Sequence, residues 1–506
     1  MKPSLTRREF LKLAGLFSLG YAAPPTISNL SGSNGDNVLI ILFDAWSASN
    51  TSLYGYKRRT TPNLERLADK AVVYHNHLAG SHFTTPGTAS LLMGVSPWRH
   101  HAFDFYETIE EKLVQNNIFH AFPRHHRLAY THNPLADKLL RQFMSNIDEF
   151  TPWENLYLKN DVLFTTLFEN DFDIASIGRS RAIKQQDDGF SYSIFLAKLY
   201  EMYKKNAKKI IEADFPRGMP DHDGFAFFTL EDGIDWMSRS LESAQQPFLG
   251  YYHFFPPHDP YHTRIDFYNC FMDDGYGPQL KPDQPLFSDR PENTLIKQRR
   301  LYDEFILYVD AEFARLHNDL EQAGLLENTW LILTTDHGEM FERGIHGHTT
   351  PVFYQPVMNI PLLIFPPGQE TRQDVYDPTS AIDLLPTLLH ATGQEIPDWA
   401  EGVVLPPFST TSAASISERD ISSVQVERID NVGNITQASS MLIRGDYKLM
   451  WFMGFGEREI DNQRVELYNI AADPEELHNL ASERRDVADE LLGILKLKLD
   501  DLNETY

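Results

Sequence analysis

The sequence predicts an α/β protein in which helices flank a mostly parallel central sheet. Three near-continuous apolar runs support this prediction, at Asn37–Phe43, Pro247–Phe255 and Asn328–Leu333. Strands that helices cover on both faces have this continuous apolar character, whereas half-exposed strands alternate. In open α/β sheets, ligands and catalytic groups collect beyond the carboxyl ends of the strands. We therefore expect the polar residues that follow these runs to form the functional site.

Length and charge restrict the class of protein. The chain has 506 residues, of which 42% are hydrophobic, so it can form a large core and two or three domains. Its 45 Lys and Arg residues against 71 Asp and Glu give a net charge of −26. That charge argues against nucleic acid as a partner, because such binding neutralises phosphates with basic groups. Cys270 is the single cysteine, which excludes an intrachain disulfide.

The N-terminus has the pattern of an export signal. Thr6–Lys12 contains the pair Arg7-Arg8 and precedes the short apolar segment Leu13–Ala23, an order that resembles a twin-arginine signal. Residues 1–23 are therefore predicted to be a signal peptide, and residues 24–36 a tether. We expect an exported protein, periplasmic or extracellular. The mature chain should have no stable membrane span, which needs about 20 apolar residues, and its oligomeric state is left open.

The segment after the first apolar run contains an acidic residue and two predicted helix starts. Asp44 follows the run directly. Thr61 is predicted to cap a helix that has Pro62 at its first position. Ser81–Gly94 predicts a loop that opens into a short helix, with Thr84 at the helix start. The positive end of such a helix suits a bound oxyanion.

Asp336 and His337 follow the third apolar run. They lie in Thr334–Glu339, shortly before His346 and His348. A carboxylate oxygen and an imidazole nitrogen together suit a divalent transition metal. A loop Asp is also a common turn residue, so the metal interpretation depends on partners from elsewhere in the chain.

The remaining segments predict the surroundings of the site. Residues 103–246 predict helical insertions that shape a substrate pocket, and His132 within them is interpreted as structural. Apolar spacing predicts a helix over Arg299–Leu325, with Asp310 as a structural carboxylate. The apolar side of that helix contains Tyr302, Phe305, Val309, Phe313 and Leu316. Residues 357–366 predict a later strand.

Nine short motifs in the same order resemble the sulfatase family of the alkaline phosphatase superfamily, from about residue 37 to 482. They are Asp44 after its strand, Tyr54-Gly55, Thr61–Leu64, Ala89–Gly94, Pro257–Tyr261, Asp336–Glu339, Asp383–Leu389, Glu466–Ile470 and Asp473–Glu476. The resemblance implies an alkaline-phosphatase-like catalytic domain over residues 37–400 and a connection over 401–422. It also implies a smaller α+β subdomain over 423–506, with an antiparallel sheet and a closing helix.

The chain departs from the family pattern at the nucleophile. Sulfatases have Cys or Ser followed by x-Pro-Ser-Arg, matured to formylglycine, whereas this chain has Thr84–Thr88. Threonine cannot be matured in this way, because its β-carbon already has a methyl group. Thr88 replaces the family arginine, and Ala45 replaces the usual second Asp. The pattern is closer to superfamily members with an unmodified threonine, namely phosphodiesterases, phosphonate monoester hydrolases and phosphoethanolamine or glycerol-phosphate transferases.

The resemblance implies a metal site and a covalent mechanism. The metal ligands would be Asp44, Thr84, Asp336 and His337, and Thr84 would be the nucleophile, with Thr85 as the fallback. His258 and His348, with His346 behind them, are expected to protonate the leaving oxygen. The metal is Mn, Zn, Ca or Mg, with one ion expected and a second left open.

The predicted function is an exported metal-dependent hydrolase of sulfuric or phosphoric esters, favouring phosphodiesters or phosphonate monoesters. The substrate would be a small anionic ester or a polysaccharide. Three alternatives stay open: a sulfatase, a phospho-group transferase and a non-catalytic binding protein.

Overall fold

The computed structural model of the chain describes most residues from 35 onward. The described ranges are 35–105, 107–151, 212–218, 229–409, 419–431, 433–455 and 463–505, with isolated positions between 195 and 209. The predicted signal peptide and nearly all of the predicted tether lie outside these residues, as does much of the insertion region.

An eight-stranded sheet forms the centre of the fold. The described strands are β1 (Asn37–Phe43), β2 (Val72–Tyr74), β3 (His77–Leu78), β4 (His126–Thr131), β5 (Glu149–Thr151), β6 (Phe248–Phe254), β7 (Thr329–Thr334), β8 (Met340–Glu342), β9 (Ile345–Gly347), β10 (Leu362–Phe365), β11 (Gln373–Val375), β12 (Thr379–Ser380), β13 (Ile421–Ile429), β14 (Ile435–Arg444), β15 (Tyr447–Met453) and β16 (Gln463–Asn469). The strand order of the central sheet is β11-β2-β10-β7-β1-β6-β4-β5. In this sheet β10 runs antiparallel to both neighbours and the other pairs are parallel. The predicted α/β class is confirmed.

Helices cover both faces of this sheet. The described α-helices are α1 (Pro62–Leu67), α2 (Thr84–Met93), α3 (Pro97–His100), α4 (Ile118–Ala121), α5 (Pro134–Gln142), α6 (Leu230–Glu242), α7 (Glu292–Gln322), α8 (Gln355–Met358), α9 (Leu384–Ala391) and α10 (Arg485–Thr505). In β1, Leu39, Ile41 and Phe43 pack towards α1, α6 and α7, whereas the alternate residues from Val38 to Leu42 pack towards α2, α5 and α9. Burial on both sides explains why the run is continuously apolar.

Two predicted boundaries are wrong. α7 begins at Glu292, seven positions before the predicted Arg299, because its first turns are mostly exposed and lack apolar spacing. The strand predicted over 357–366 is confined to Leu362–Phe365. The residues before it form the short helix α8, and Pro361 lacks the N–H that a ladder needs.

The predicted cap of α1 is also wrong. Thr61 occupies the N-cap position, but its hydroxyl makes no capping bond and instead accepts from the backbone N–H of Leu53 at 3.1 Å. Asp310 of α7 accepts the N–H groups of Asn63 and Leu64 at 2.9 and 2.8 Å. Burial raises the pKa of Asp310 to about 6. Asp310 is therefore the structural carboxylate that the sequence predicts.

The four strands β13 to β16 form a second, antiparallel sheet in sequence order. One of its faces packs against α8 and its neighbours through Met441, Met450 and Phe452. The other face packs against α10 through residues such as Leu491 and Leu495. β13 begins at Ile421, so it includes two residues of the predicted 401–422 connection.

A buried ion pair links the two sheets. Lys448 of β15 lies 2.7 Å from Glu476, and both side chains are 0% exposed. The other carboxylate oxygen of Glu476 accepts the N–H of Gln355 in α8 at 2.8 Å. This pair joins the second sheet to the catalytic part of the fold.

We expect Lys448→Met to lower the free energy of unfolding by about 3–5 kcal/mol, because it leaves the Glu476 carboxylate buried without its partner. Urea unfolding followed by circular dichroism measures the effect. The matched control is Lys70→Met, which breaks an exposed pair with Glu321 and should cost less than about 1 kcal/mol. Equal losses in the two variants would contradict a structural role for the buried pair.

Candidate active site

Two neighbouring strands of the central sheet lead into acidic residues. Asp44 directly follows β1, and Asp336 and His337 lie just beyond β7. Since β1 and β7 are adjacent and parallel, these residues meet at one edge of the sheet. One oxygen of each carboxylate and a ring nitrogen of His337 lie within 4.8 Å of one another, and all three side chains are buried. We call these three residues the carboxylate–histidine cluster.

Thr84 brings a hydroxyl oxygen to this cluster. It is the first residue of α2, as the sequence predicts, and is 1% exposed. Its Oγ1 lies 3.3 Å from His337 Nε2. Gly87 allows the helix to come this near, because a Cβ there would lie 2.4 Å from the carbonyl oxygen of Asp336. The positive end of the α2 dipole therefore lies at the cluster.

The cluster contains polar atoms that lack hydrogen-bond partners. Asp44 Oδ1 and Asp336 Oδ2 are buried and accept no hydrogen bond from the part of the chain that the structure describes, although buried polar groups are normally paired. His337 Nδ1 donates to the carbonyl of Gly338 at 2.9 Å, so Nε2 faces the cluster. That nitrogen is 3.4 Å from Asp44 Oδ1 and 3.6 Å from Asp336 Oδ2. Such a donor set needs a positive charge at its centre and fits a divalent metal ion.

The pKa shifts of His337 and Asp44 also indicate that the cluster favours a positive charge. Burial opposes protonation of His337, but Asp336 and Asp44 outweigh it and raise the pKa of His337. Burial likewise opposes ionisation of Asp44, but His258, His253 and His337 outweigh it and lower the pKa of Asp44. The site therefore favours an ionised Asp44 beside a cation.

Two residues that sequence reasoning missed hold Asp44 in position. Asn133 Nδ2 donates to Asp44 Oδ2 at 2.6 Å and to Thr84 Oγ1 at 3.2 Å. His253 Nε2 lies 3.1 Å from Asp44 Oδ2. In the sequence Asn133 has only the pattern of an N-cap, and it does cap α5. The signal for His253 is an imidazole within the apolar strand β6.

Ala45, where the family pattern has a second Asp, has an unusual backbone conformation. Its φ of 60° lies in the left-handed region, which costs a non-glycine residue about 1 kcal/mol or more. The Tyr302 hydroxyl donates to its carbonyl at 2.6 Å, and its N–H donates to Asp336 Oδ1 at 3.4 Å. These contacts turn the chain sharply after Asp44.

His258 and His348 lie beside the cluster. The ring of His348 is 4.2 Å from that of His337 and 4.8 Å from that of His258, measured between centroids. Glu339 Oε1 lies 3.1 Å from His348 Nδ1 and orients this ring. Burial lowers the pKa of His348 to about 3 and also lowers the pKa of His258. Both rings are therefore neutral near pH 7.

The other residues singled out from the sequence lie further from the cluster. His346 Nε2 is 3.4 Å from a tyrosine hydroxyl, behind the site. Thr85 Oγ1 donates to the carbonyl of Phe105 at 3.0 Å. His132 packs against Phe255, with ring centroids 5.6 Å apart. The segment around His132 therefore reaches the cluster through the asparagine that follows it.

A cavity of about 330 Å³ opens beside the cluster. Its lining includes Phe83 and Thr349, which adjoin Thr84 and His348 in the chain. The charged residues in this lining are Asp104, Glu107, Glu427 and Arg428, so carboxylates outnumber cations. Burial raises the pKa of Glu107 and of Glu427, which indicates that water is partly excluded.

Comparison with known families identifies the class of protein. A sulfatase family model matches residues 36–394. A model described as the C-terminal part of N-sulphoglucosamine sulphohydrolase matches residues 344–505. The chain therefore belongs to the sulfatase family, as the ordered motifs predict.

Two curated relatives are distant in sequence but match nearly the whole chain. A choline-sulfatase of Rhizobium meliloti is 23% identical over 477 residues, covering 90% of this chain and 84% of the relative. An arylsulfatase of Clostridium perfringens is 22% identical, covering 93% and 95%. Among solved structures, the phosphonate monoester hydrolase of Agrobacterium radiobacter aligns with a TM-score of 0.64 and 19% identity, covering 92% of this chain and 96% of that one.

These findings define the chain as an ester hydrolase of the sulfatase family. Enzymes of this family use a divalent metal ion, and the carboxylate–histidine cluster is a suitable place for it. Within the described residues, no helix is both long and apolar enough to cross a membrane.

Proposed function

We propose that this protein hydrolyses singly charged phosphoric esters, with Thr84 as nucleophile and a divalent metal ion held by Asp44, Asp336, His337 and Thr84. One observation supports this most strongly. The Thr84 hydroxyl lies against His337 Nε2, beside two buried carboxylate oxygens that accept no hydrogen bond from the described residues. A threonine with only a packing role would not need a histidine and two carboxylates beside its hydroxyl.

The metal would supply positive charge that lowers the pKa of the Thr84 hydroxyl and stabilises charge on the ester oxygens. The chain positions the reacting groups. Asn133 orients Asp44 and Thr84 together through its amide, and His253 supports Asp44 from the neighbouring strand. His337 presents Nε2 because its Nδ1–H is held by the Gly338 carbonyl. His337 in its neutral form moves the preference towards Mn or Zn and away from Ca or Mg.

The reaction would proceed through a covalent phospho-threonine. The Thr84 hydroxyl gives up its proton to water, its Oγ1 attacks phosphorus, and the bond from phosphorus to the leaving oxygen breaks. That oxygen takes a proton from His258 or His348, whose rings lie together beside the cluster. Both rings are neutral in the free protein, but a bound anionic ester raises their pKa and favours the protonated donor. Water then cleaves the phospho-threonine and restores the hydroxyl.

Two features favour an ester with one negative charge. The ion pairs of Asp44 and Asp336 within the described residues are with histidines, and Thr88 stands where the family pattern has arginine. The neighbouring cavity also has more carboxylates than cations. A dianionic phosphate monoester would meet too little fixed positive charge in this partly desolvated site. Phosphodiesters and phosphonate monoesters each bring one charge, as do sulfate monoesters.

A sulfate ester is the second candidate, because the curated relatives include a choline-sulfatase and an arylsulfatase. Solved neighbours include two proteins described as phosphonate monoester hydrolases. Threonine favours a phosphorus ester in this proposal, since it lacks the hydrated aldehyde through which sulfatases expel sulfate. We also propose export through residues 1–23, so that the substrate is an external small ester or a polysaccharide.

We expect kcat/KM to fall in the order phosphodiester or phosphonate monoester, then aryl sulfate, then phosphate monoester. The test compares 4-nitrophenyl members of each class at one pH, with Mn or Zn added. An aryl sulfate that reacts a hundredfold faster than the others, about 2.7 kcal/mol of transition-state preference, would overturn the order. A rate of product formation that rises with an added sugar or lipid alcohol would indicate a transferase instead.

A further inference from the structure

A second cleft lies away from the carboxylate–histidine cluster. It has a volume of about 620 Å³. Its lining includes residues beyond β2 and β11, residues at α8, residues within the segment 48–57 and the β14–β15 turn of the second sheet, at Gly445 and Asp446. β2 and β11 lie two and three strands from β7, the strand that leads to Asp336 and His337, which corresponds to about 9–14 Å at the usual strand spacing. The cleft therefore opens on the same sheet edge as the cluster but is separate from it.

A rigid aromatic surface lies in this cleft. β2 and β11 are parallel neighbours in which Tyr74 pairs with Val375, so the next residues, His75 and Tyr376, lie side by side. Their rings stack with centroids 4.3 Å apart and an interplanar angle of 11°. His75 Nε2 is held by Asp374 at 2.6 Å. Tyr376 is nevertheless 64% exposed, so one ring face is fixed and the other is available to a ligand.

Tyr276 provides a second aromatic side chain in the lining. The Arg58 guanidinium lies 4.5 Å from the centre of this ring, and Tyr56 packs edge-on against it at 5.4 Å. Arg58 is in turn held by Asp274 and Asp303. The orientation of the Tyr276 ring is therefore also fixed without a ligand, which lowers the entropic cost of binding.

Two amide groups in the same lining have acceptor atoms without partners. Gln355 Oε1 and Asn359 Oδ1 are buried and make no hydrogen bond within the described part of the chain. Gln355 is the first residue of α8 and Asn359 directly follows its last residue. The two are four positions apart, a spacing that places both side chains on one face. Unpaired buried acceptors call for a ligand or water that donates hydrogen bonds.

The lining contains three Lys and Arg residues, of which Lys57 is exposed and the other two are held in ion pairs. Lys281 pairs with Glu342 at 2.9 Å and with Glu475 at 2.6 Å, and Arg299 pairs with Glu342 at 3.3 Å. A phosphate-rich ligand such as a nucleotide would find these cations already neutralised. A ligand with hydroxyl donors and an apolar face matches the cleft better, and a sugar ring has both.

We propose that this cleft is a saccharide-binding site, in which a sugar ring of an oligosaccharide stacks on Tyr376 and its hydroxyls donate to Gln355 and Asn359. The site is distinct from the residues that cleave the ester. Its position on the same sheet edge would allow one glycan chain to occupy the cleft and approach the cluster. The inference does not depend on which ester the cluster hydrolyses.

The test uses the whole protein on a printed array of neutral and sulfated oligosaccharides, followed by titration calorimetry with the oligosaccharide that gives the highest signal. We expect binding by the wild type and by Tyr376→Phe, which keeps the ring. Tyr376→Ala should bind about three- to tenfold more weakly, as expected for one lost ring contact. The control Tyr268→Ala removes a tyrosine that is 40% exposed and outside the cleft lining, and it should bind like the wild type.

Hydrolysis of a small 4-nitrophenyl ester should be unchanged in Tyr376→Ala, because Tyr376 does not touch the cluster. This readout separates the saccharide site from the catalytic one. Absence of wild-type binding to every glycan on the array would overturn the proposal. Equal affinities of the wild type and Tyr376→Ala would also overturn it.

Discussion

Thr84→Ala should reduce kcat by about 10³- to 10⁶-fold, the range expected when a covalent nucleophile is removed. In the proposed mechanism Thr84 Oγ1 attacks the ester, and this oxygen lies 3.3 Å from His337 Nε2. Thr84→Ser keeps an oxygen at that position and should lose far less activity. Steady-state hydrolysis of a 4-nitrophenyl phosphodiester measures both variants, and circular dichroism checks that the fold is retained.

The neighbouring threonine provides the matched control for this experiment. Thr85 is equally buried, but its hydroxyl donates to the Phe105 carbonyl and has no contact with the cluster. Thr85→Ala should therefore keep kcat close to the wild-type value. Mass spectrometry of a rapidly quenched reaction should find the added phospho group on Thr84. If Thr85→Ala loses the activity and Thr84→Ala keeps it, the nucleophile has been misassigned.

Asp44→Ala and Asp336→Ala should each lose the bound metal ion together with nearly all activity. Each substitution removes one of two anionic ligands that face the same point, and the site then holds too little negative charge for a divalent cation. Elemental analysis of the purified proteins measures metal per chain. Treatment of the wild type with a chelator should likewise abolish hydrolysis, and added Mn or Zn should restore it.

A buried carboxylate outside the cluster serves as the control for metal content. Asp137 lies on α5 and pairs with Arg141 at 2.6 Å, so Asp137→Asn should bind as much metal as the wild type. Asp336→Asn perturbs the structure less than Asp336→Ala, because the amide oxygen of asparagine can still accept the N–H of His337. A wild-type protein that is fully active without metal would refute the metal site.

Much of the site could be inferred from local patterns in the sequence. Asp44, Asp336 and His337 each follow an apolar run long enough to be a central strand, and parallel strands place their ends at one edge. Thr84 was identifiable as a helix start because the helix that follows has its own sequence pattern. These inferences succeed because strand ends and helix starts are local properties of the chain.

Asn133 and His253 could not be inferred in the same way, because their roles depend on contacts across more than 80 positions of sequence. Asn133 reaches Asp44, 89 positions away, and does so while capping its own helix. His253 lies opposite Leu42 in the β1–β6 register, which no local pattern reveals. The capping of α1 by Asp310 instead of Thr61 has the same cause, since Asp310 belongs to α7, more than 240 positions away.

The sequence by itself determined the α/β class, the family and the residues that end the central strands, because these follow from hydrophobic patterning and from ordered short motifs. The tertiary structure alone decided which side chains surround them: Asn133 and His253 at Asp44, Glu339 at His348, and Tyr376 over His75. Strand register and the packing of distant helices set these contacts, and both depend on the burial of the whole core rather than on any one segment.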